Sequence, residues 1–144
     1  MSVGMQVTGD EAVLIHLRLI RDLPTDYEYE LLYSLGAEIE SQTRRRVLVE
    51  KTAPDGTPWS PWSPGYAATR GGGQSLLMDS GQMVMSLYQR VESHAVVVGT
   101  NKVYAADHQF GKDRLPARPF LGFSDDNLRD LESVATDYLS QILK

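Results

Sequence analysis

Apolar residues recur at helical spacing in three stretches of the chain, and the first of these lies near the N-terminus. Thr8 or Asp10 can cap this helix, which should end near Asp22 because a proline follows shortly afterwards. Its apolar positions fall at i, i+1, i+4 and i+7 and are Val13, Leu14, Leu17 and Ile20. The pattern predicts an amphipathic N-terminal helix.

The second stretch predicts one long helix over about residues 26–50. Thr25 and Glu28 have the spacing of a capping box at its start. The apolar face is formed by Tyr27, Leu31, Leu32, Leu35 and Ile39 and continues towards Val47. Gly36 lies inside this helix at a cost of about 1 kcal/mol relative to alanine. Either a neighbouring element approaches closely at Gly36 or the residue is a tolerated flaw.

The third stretch predicts a C-terminal helix from Asp125 to about residue 143, capped by Ser124. Acidic residues in its first turn favour the helix, because negative charge is stabilised at a helix N-terminus. One side is apolar and carries Leu128, Leu131, Ala135, Tyr138 and Ile142. The opposite side is strongly acidic and carries Asp130, Glu132 and Asp137.

Between the long helices, residues 87–91 and 95–99 predict a β-hairpin. The second run, AVVVGT, is β-branched and apolar enough for the interior of a sheet. A short helix that contains Met83 and Val84 precedes the hairpin, with Asp79 or Ser80 as its cap. Residues 103–110, which follow the hairpin, are either a short helix or irregular.

Two irregular segments interrupt these elements. Residues 52–75, called the tryptophan loop below, contain four prolines, five glycines and two tryptophans without any period. Its aromatic residues Trp59, Trp62 and Tyr66 either fold back on their own domain or cover a neighbouring subunit, because exposed tryptophans are unfavourable. Both alternatives stay open at this point.

Residues 104–124, called the proline-arginine segment below, combine Tyr104, His108, Gln109, two prolines and three phenylalanines. Pro116 and Pro119 favour a stiff, extended chain that presents Arg118 to a partner. Arg118 would contact an acidic residue of the last helix, in its own or an adjacent subunit, or cap carbonyls of its own loop. Phe120, Leu121 and Phe123 supply the apolar contacts that tie the segment to the body.

The composition limits the class of protein. A chain of 144 residues with 42% hydrophobic residues suits one domain, residues 1–144, around a single core. It contains no cysteine, which excludes disulfides and thiolate metal sites and suits a reducing cytoplasm. The sequence shows neither a signal peptide nor an apolar run of about 20 residues, so we expect a soluble protein with no membrane partner.

Charge and histidine placement argue against two kinds of site. A net charge of −5 disfavours a nucleic-acid binder that works by neutralising phosphates. Arg44, Arg45 and Arg46 form either a solvated face or a patch that meets an acidic partner or DNA in a channel. No zinc motif occurs, and a Ser80, His108 and Asp107 triad lacks a nucleophile elbow. We therefore expect no enzyme, metal or cofactor; His108 would hold the shape of its loop through backbone hydrogen bonds.

Four segments together resemble the Mu-type phage virion morphogenesis proteins, which are similar to tail-completion proteins of other contractile-tailed phages. They are APDGTPW at 53–59, LMDSGQMVMSL at 77–87, VVVGTNKVYAADHQFG at 96–111 and PARPFLGFS at 116–124. The resemblance spans roughly residues 25–140. It implies an α+β fold in which long N-terminal and C-terminal helices pack on a small antiparallel sheet, with a long Pro/Gly/Trp loop.

The resemblance also implies a function. It indicates a virion structural protein that acts at the neck or tail end, in a ring of six identical subunits made in the bacterial host cytoplasm. Expected partners are other copies, a tail terminator or a head-side connector, with DNA passing through the channel without specific binding. The expected partner-binding residues are Trp59, Trp62, Tyr66, Tyr104, His108, Gln109, Arg118 and Phe120. The alternative is an assembly factor absent from the virion, or a small soluble enzyme with an unrecognised site.

Overall fold

The computed structural model of the chain describes residues 3–8, 13–19, 24–72, 74–78, 81–92 and 94–142, the first two ranges as backbone only. Its sheet contains four antiparallel strands in the order β1-β2-β4-β3. The strands are β1 (Val3–Thr8), β2 (Val13–Leu19), β3 (Tyr88–Glu92) and β4 (Ala95–Thr100). The hairpin predicted from the sequence is the β3–β4 pair, and β2 extends the sheet on the other side of β4.

The predicted N-terminal helix is wrong, because the same residues form β2 and pair with both β1 and β4. The apolar positions of this stretch fit two periods: Val13, Ile15, Leu17 and Leu19 also alternate with a spacing of two. Pairing on both sides satisfies the backbone of a short, β-branched run, which decides between the two periods. Thr8, one of the two expected caps, ends β1, and Asp10 lies outside the described residues.

The long helix is confirmed as α1 (Thr25–Arg45), which continues into a π-helical turn, Arg46–Glu50. It ends at Lys51, whose φ of 57° lies in the left-handed region. The capping box does not form, since Pro24 is the N-cap and no side chain bonds to the free amides. Glu28 instead contacts the β3–β4 turn, where its Oε1 lies 2.7 Å from Nδ1 of His94.

The core lies between α1, the sheet and the C-terminal helix, α5 (Asp125–Ile142), which packs against α1. Its buried members include Leu31, Leu35, Ile39, Val96, Val98, Leu131 and Ala135. Gly36 marks the close approach of α1 to the sheet, because an added Cβ would lie 2.6 Å from Cγ2 of Val96. The first of the two interpretations of Gly36 is therefore confirmed, and so is the predicted α+β class.

In the described part of the chain, three short helices lie between the long elements: α2 (Pro64–Ala67), α3 (Gln82–Met85) and α4 (Ala105–Phe110). The first of them belongs to the tryptophan loop, and the third belongs to the proline-arginine segment. The expected caps of α3, Asp79 and Ser80, lie outside the described residues.

Candidate partner-binding cleft

The tryptophan loop and the proline-arginine segment are joined by side-chain hydrogen bonds. Trp59 is 5% exposed, and its Nε1 donates to the carbonyl of Pro119 at 2.8 Å. Arg118 donates in the opposite direction, from Nε to the carbonyl of Ser60 at 2.8 Å and from Nη2 to that of Pro61 at 3.2 Å. Each segment thus satisfies backbone groups of the other, and the two form one unit.

This arrangement corrects the expectation that Arg118 is presented to a partner. The side chain is buried, and its partners are carbonyls of the tryptophan loop instead of its own loop or an acidic residue of the last helix. A guanidinium satisfies several carbonyls at fixed angles, so it can bridge two segments that lack regular hydrogen bonding. For Trp59, the interpretation that the loop folds back on its own chain is correct.

Gln109 holds the turn that leads into the end of the proline-arginine segment. Its Oε1 accepts from the backbone amides of Phe120 and Leu121, at 3.1 and 3.0 Å, and its Nε2 donates to the carbonyl of Leu121 at 3.1 Å. Gln109 and Phe120 are both buried. Two residues expected to bind a partner therefore stabilise the segment from inside.

Gly122 allows the two segments to approach closely. Its φ is 150°, and an added Cβ would lie 2.6 Å from Cγ of Pro54. Any larger residue would be strained and would push the tryptophan loop away. The APDG turn of that loop and the PFLG sequence of the segment are thus complementary surfaces within one chain.

The basic run at the end of α1 does not form one patch. Arg46 is 2% exposed, and it donates from Nη1 to the carbonyl of Phe120 and from Nη2 to Oδ1 of Asn127, both at 2.6 Å. Burial lowers the pKa of Arg46, although the charge of Glu50 opposes this shift. Arg44 pairs with Glu40, and only Arg45 is largely exposed, so neither sequence-based interpretation of the run holds for all three residues.

Asn127 connects this buried arginine to the start of α5. Ser124 Oγ accepts from the Asn127 amide, and Asn127 Oδ1 accepts from the Ser124 amide, each at 3.0 Å. The predicted cap at Ser124 is confirmed, in a reciprocal form that satisfies two amides at the helix start. Arg46 therefore ties α1, the proline-arginine segment and α5 together.

The joined segments enclose a cleft of about 820 Å³. Five of the eight residues predicted to bind a partner line it: Trp62, Tyr66, Tyr104, His108 and Arg118. Apolar residues that sequence reasoning missed form another part of its lining, namely Leu77, Met78, Met83 and Leu115. Their sequence signal is weak, because single apolar residues in irregular segments show no period.

The described lining of the cleft combines aromatic rings with arginine side chains. Trp62 and Tyr66 contact edge to face with ring centroids 5.8 Å apart, and the guanidinium of Arg70 lies 4.5 Å from the Tyr66 centroid. Arg70, Arg114 and Arg118 are among the lining residues, and none of the described lining residues is acidic. Aromatic side chains and arginine are the residue types enriched at protein interfaces. This combination suits an acidic protein surface.

His108 lines this cleft beside Tyr104. Burial and the charge of Arg118 lower the pKa of His108 from its ordinary value, while Asp107 acts in the opposite direction. The ring Nδ1 is buried, and no described residue forms a hydrogen bond with it. The loop is instead held by the His108 carbonyl, which accepts from the amide of Arg118 at 2.6 Å. The side chain does not play the hydrogen-bonding role expected from the sequence.

We expect this histidine to make the fold sensitive to mild acid. Because its pKa is lower in the folded state, the unfolded state binds the proton at higher pH. The stability from keeping His108 neutral is complete above about pH 6.5 and is lost as the pH falls below that value. Urea unfolding between neutral and mildly acidic pH should therefore show a smaller loss of stability in His108→Gln than in the wild type. Equal pH slopes would contradict this prediction.

The described residues contain no group of three or more histidine, cysteine or acidic side chains that could hold a metal ion. Ser80, the nucleophile of the triad considered from the sequence, lies outside them. No helix within the described ranges is long and apolar enough to cross a membrane.

Comparison with known proteins gives two matches. Residues 10–140 match the model of the phage virion morphogenesis family. The chain is also similar to the Mu-like prophage FluMu G protein 2 of Haemophilus influenzae, with 33% identity over 75 residues. That alignment covers 47% of this chain and 54% of the relative, so it spans about half of the relative's length. No solved structure matches the chain significantly.

Proposed function

We propose, since the chain belongs to the phage virion morphogenesis family, that it is a structural protein of the virion neck or tail end. In this role it completes the tail or joins it to the head through protein–protein contacts. The family membership supports a role in virion assembly, and the cleft supplies a surface suited to protein contacts. The finer assignment to the neck is our proposal.

We further propose that identical subunits form a ring, of six copies, which contacts a tail terminator or a head-side connector. A ring requires two different surfaces on each copy, because each subunit contacts one neighbour on either side. DNA would pass through the ring without specific binding, which agrees with the acidic net charge of −5. The aromatic cleft is the observation that carries this proposal, because the tryptophan loop and the proline-arginine segment already form it within one chain.

Mass spectrometry of purified virions tests the proposal against its alternative. A structural protein of the neck should be present in finished particles at a low, fixed copy number. An assembly factor or an enzyme would be present in infected cells and absent from purified particles. The second result would overturn the structural role, while leaving the family membership intact.

A tyrosine in the cleft should be needed for assembly but not for folding. Tyr66 is 48% exposed. Removing an exposed aromatic side chain from an interface lowers the binding free energy without creating a cavity in the protein core. We expect Tyr66→Ala to lower the yield of infectious particles about tenfold or more, because truncating a hot-spot residue weakens binding by about tenfold or more. Plaque titration of a complemented phage measures this.

Tyr29→Ala is the matched control, because Tyr29 is also an exposed tyrosine, 56% accessible, but lies on α1 and not among the residues lining the cleft. It should leave the titre near that of the wild type. Equal losses from both substitutions, or none from Tyr66→Ala, would remove the cleft from the proposed partner-binding surface.

A further inference from the structure

Helix α5 carries most of the net charge of the chain. It contains Asp125, Asp126, Asp130, Glu132 and Asp137 against one arginine, Arg129, whereas the whole chain has a net charge of −5. All five acidic residues are exposed. The remainder of the chain is therefore close to neutral, and the acidic field is concentrated on one helix.

Three of these acids form a stripe along α5. Asp126, Asp130 and Asp137 lie on one face, because spacings of four and seven residues return to the same side of a helix. Leu131 and Ala135 are buried and anchor the other side of α5 in the core. The fold thus directs this acidic stripe outward.

The positively charged cleft and the acidic stripe lie on separate parts of the surface. None of the described lining residues of the cleft belongs to α5, so a chain does not fill its own cleft with its own stripe. Two stripes would repel each other, which disfavours a symmetric contact between two α5 helices. A stripe of one copy and a cleft of another have complementary charge.

We propose that the acidic stripe of one copy docks against the aromatic, arginine-lined cleft of the next copy. This inference rests on the proposed ring and identifies the two unlike surfaces that the ring needs. Arg114, which is exposed at the cleft, pairs with the stripe, while Trp62 and Tyr66 supply apolar contact area. Repetition of one such contact around a rotation axis closes a ring.

Charge reversal tests this contact in a phage deleted for the gene and complemented in trans. The cleft variant is Arg114→Glu, and the stripe variant is Asp130→Arg with Asp137→Arg. Each should lower the yield of joined particles about tenfold or more, because like charges then face each other across the interface. The protein that carries both sets of changes restores complementarity and should recover the yield.

Matched controls separate the contact from general charge effects. Glu132→Lys reverses an exposed charge on α5 on a different face from the stripe, and Lys112→Glu reverses an exposed charge near the cleft but outside its described lining. Both should leave the yield unchanged. Circular dichroism confirms folding of every variant.

The inference is overturned if the stripe variant assembles normally, or if both folded variants fail and the combined protein fails as well. It is also overturned if the cleft binds a single-stranded oligonucleotide and the cleft variant loses that binding. Failure of the proposed function gives a different result, because the protein would then be absent from purified virions, or the gene deletion itself would leave joined particles at their normal yield.

Discussion

Replacing Gln109 with alanine should lower the free energy of unfolding by about 2–4 kcal/mol. The substitution leaves the buried amides of Phe120 and Leu121 and the carbonyl of Leu121 without their side-chain partner. An unsatisfied buried polar group costs about 1–3 kcal/mol, and three such groups are involved. Water molecules that enter the site and bond to these groups can recover part of this free energy. Urea denaturation of the purified protein measures the change.

Gln141→Ala serves as the control, because Gln141 is an exposed glutamine of α5 and its loss should change stability by less than about 0.5 kcal/mol. If Gln109→Ala were as stable as this control, the amide would not hold the proline-arginine segment. The segment would then need another explanation for its fixed course between α4 and α5.

Replacing Arg46 with alanine should also destabilise the protein, by about 2–3 kcal/mol. The change removes the hydrogen bonds to the Phe120 carbonyl and to Asn127, together with the packing of a buried side chain. Relief of the cost of burying a charge offsets part of this loss. Thermal and urea unfolding should both show the decrease.

Arg45 provides a comparison one residue away in the sequence. Its side chain is 73% exposed and lies near Glu50, so Arg45→Ala should change stability by less than about 0.5 kcal/mol. Equal effects from the two arginines would mean that the basic run acts through its summed charge and not through the buried hydrogen bonds of Arg46.

Elements with a long, unambiguous period could be predicted from the sequence. The apolar positions of α1 and α5 span several turns, and the cap at Ser124 has a local mechanism. The β3–β4 hairpin was also predictable, because AVVVGT favours a strand and is too short for a helix of typical length. In contrast, the apolar residues of the stretch that forms β2 fit both a helical and a strand period. Only pairing with the neighbouring strands decides that this stretch is a strand.

The burial of polar side chains could not be predicted in the same way. Gln109, Arg46 and Arg118 are ordinary surface residue types, and their backbone partners lie 11 to 74 residues away in the sequence. Irregular segments leave backbone groups unpaired, and long polar side chains supply the missing hydrogen bonds. Such contacts follow from the fold and leave no periodic signal in the sequence.

The candidate cleft was therefore predicted only in part. Aromatic residues in a proline-rich loop indicated a surface that needs covering, which identified Trp62 and Tyr66. The expectation that the proline-arginine segment presents Arg118 to a partner was wrong, since Arg118 binds the tryptophan loop, which in turn binds this segment through Trp59. The sequence does not show that the two segments converge, and this convergence places Tyr104 and residues around Met78 in one cleft.

The most direct test of the account is electron microscopy of lysates from a phage that carries a deletion of this gene. A structural protein that completes the tail or joins it to the head predicts DNA-filled heads and separate tails in the same lysate, and joined particles after complementation. Joined, infectious particles at wild-type numbers without the gene would contradict the account.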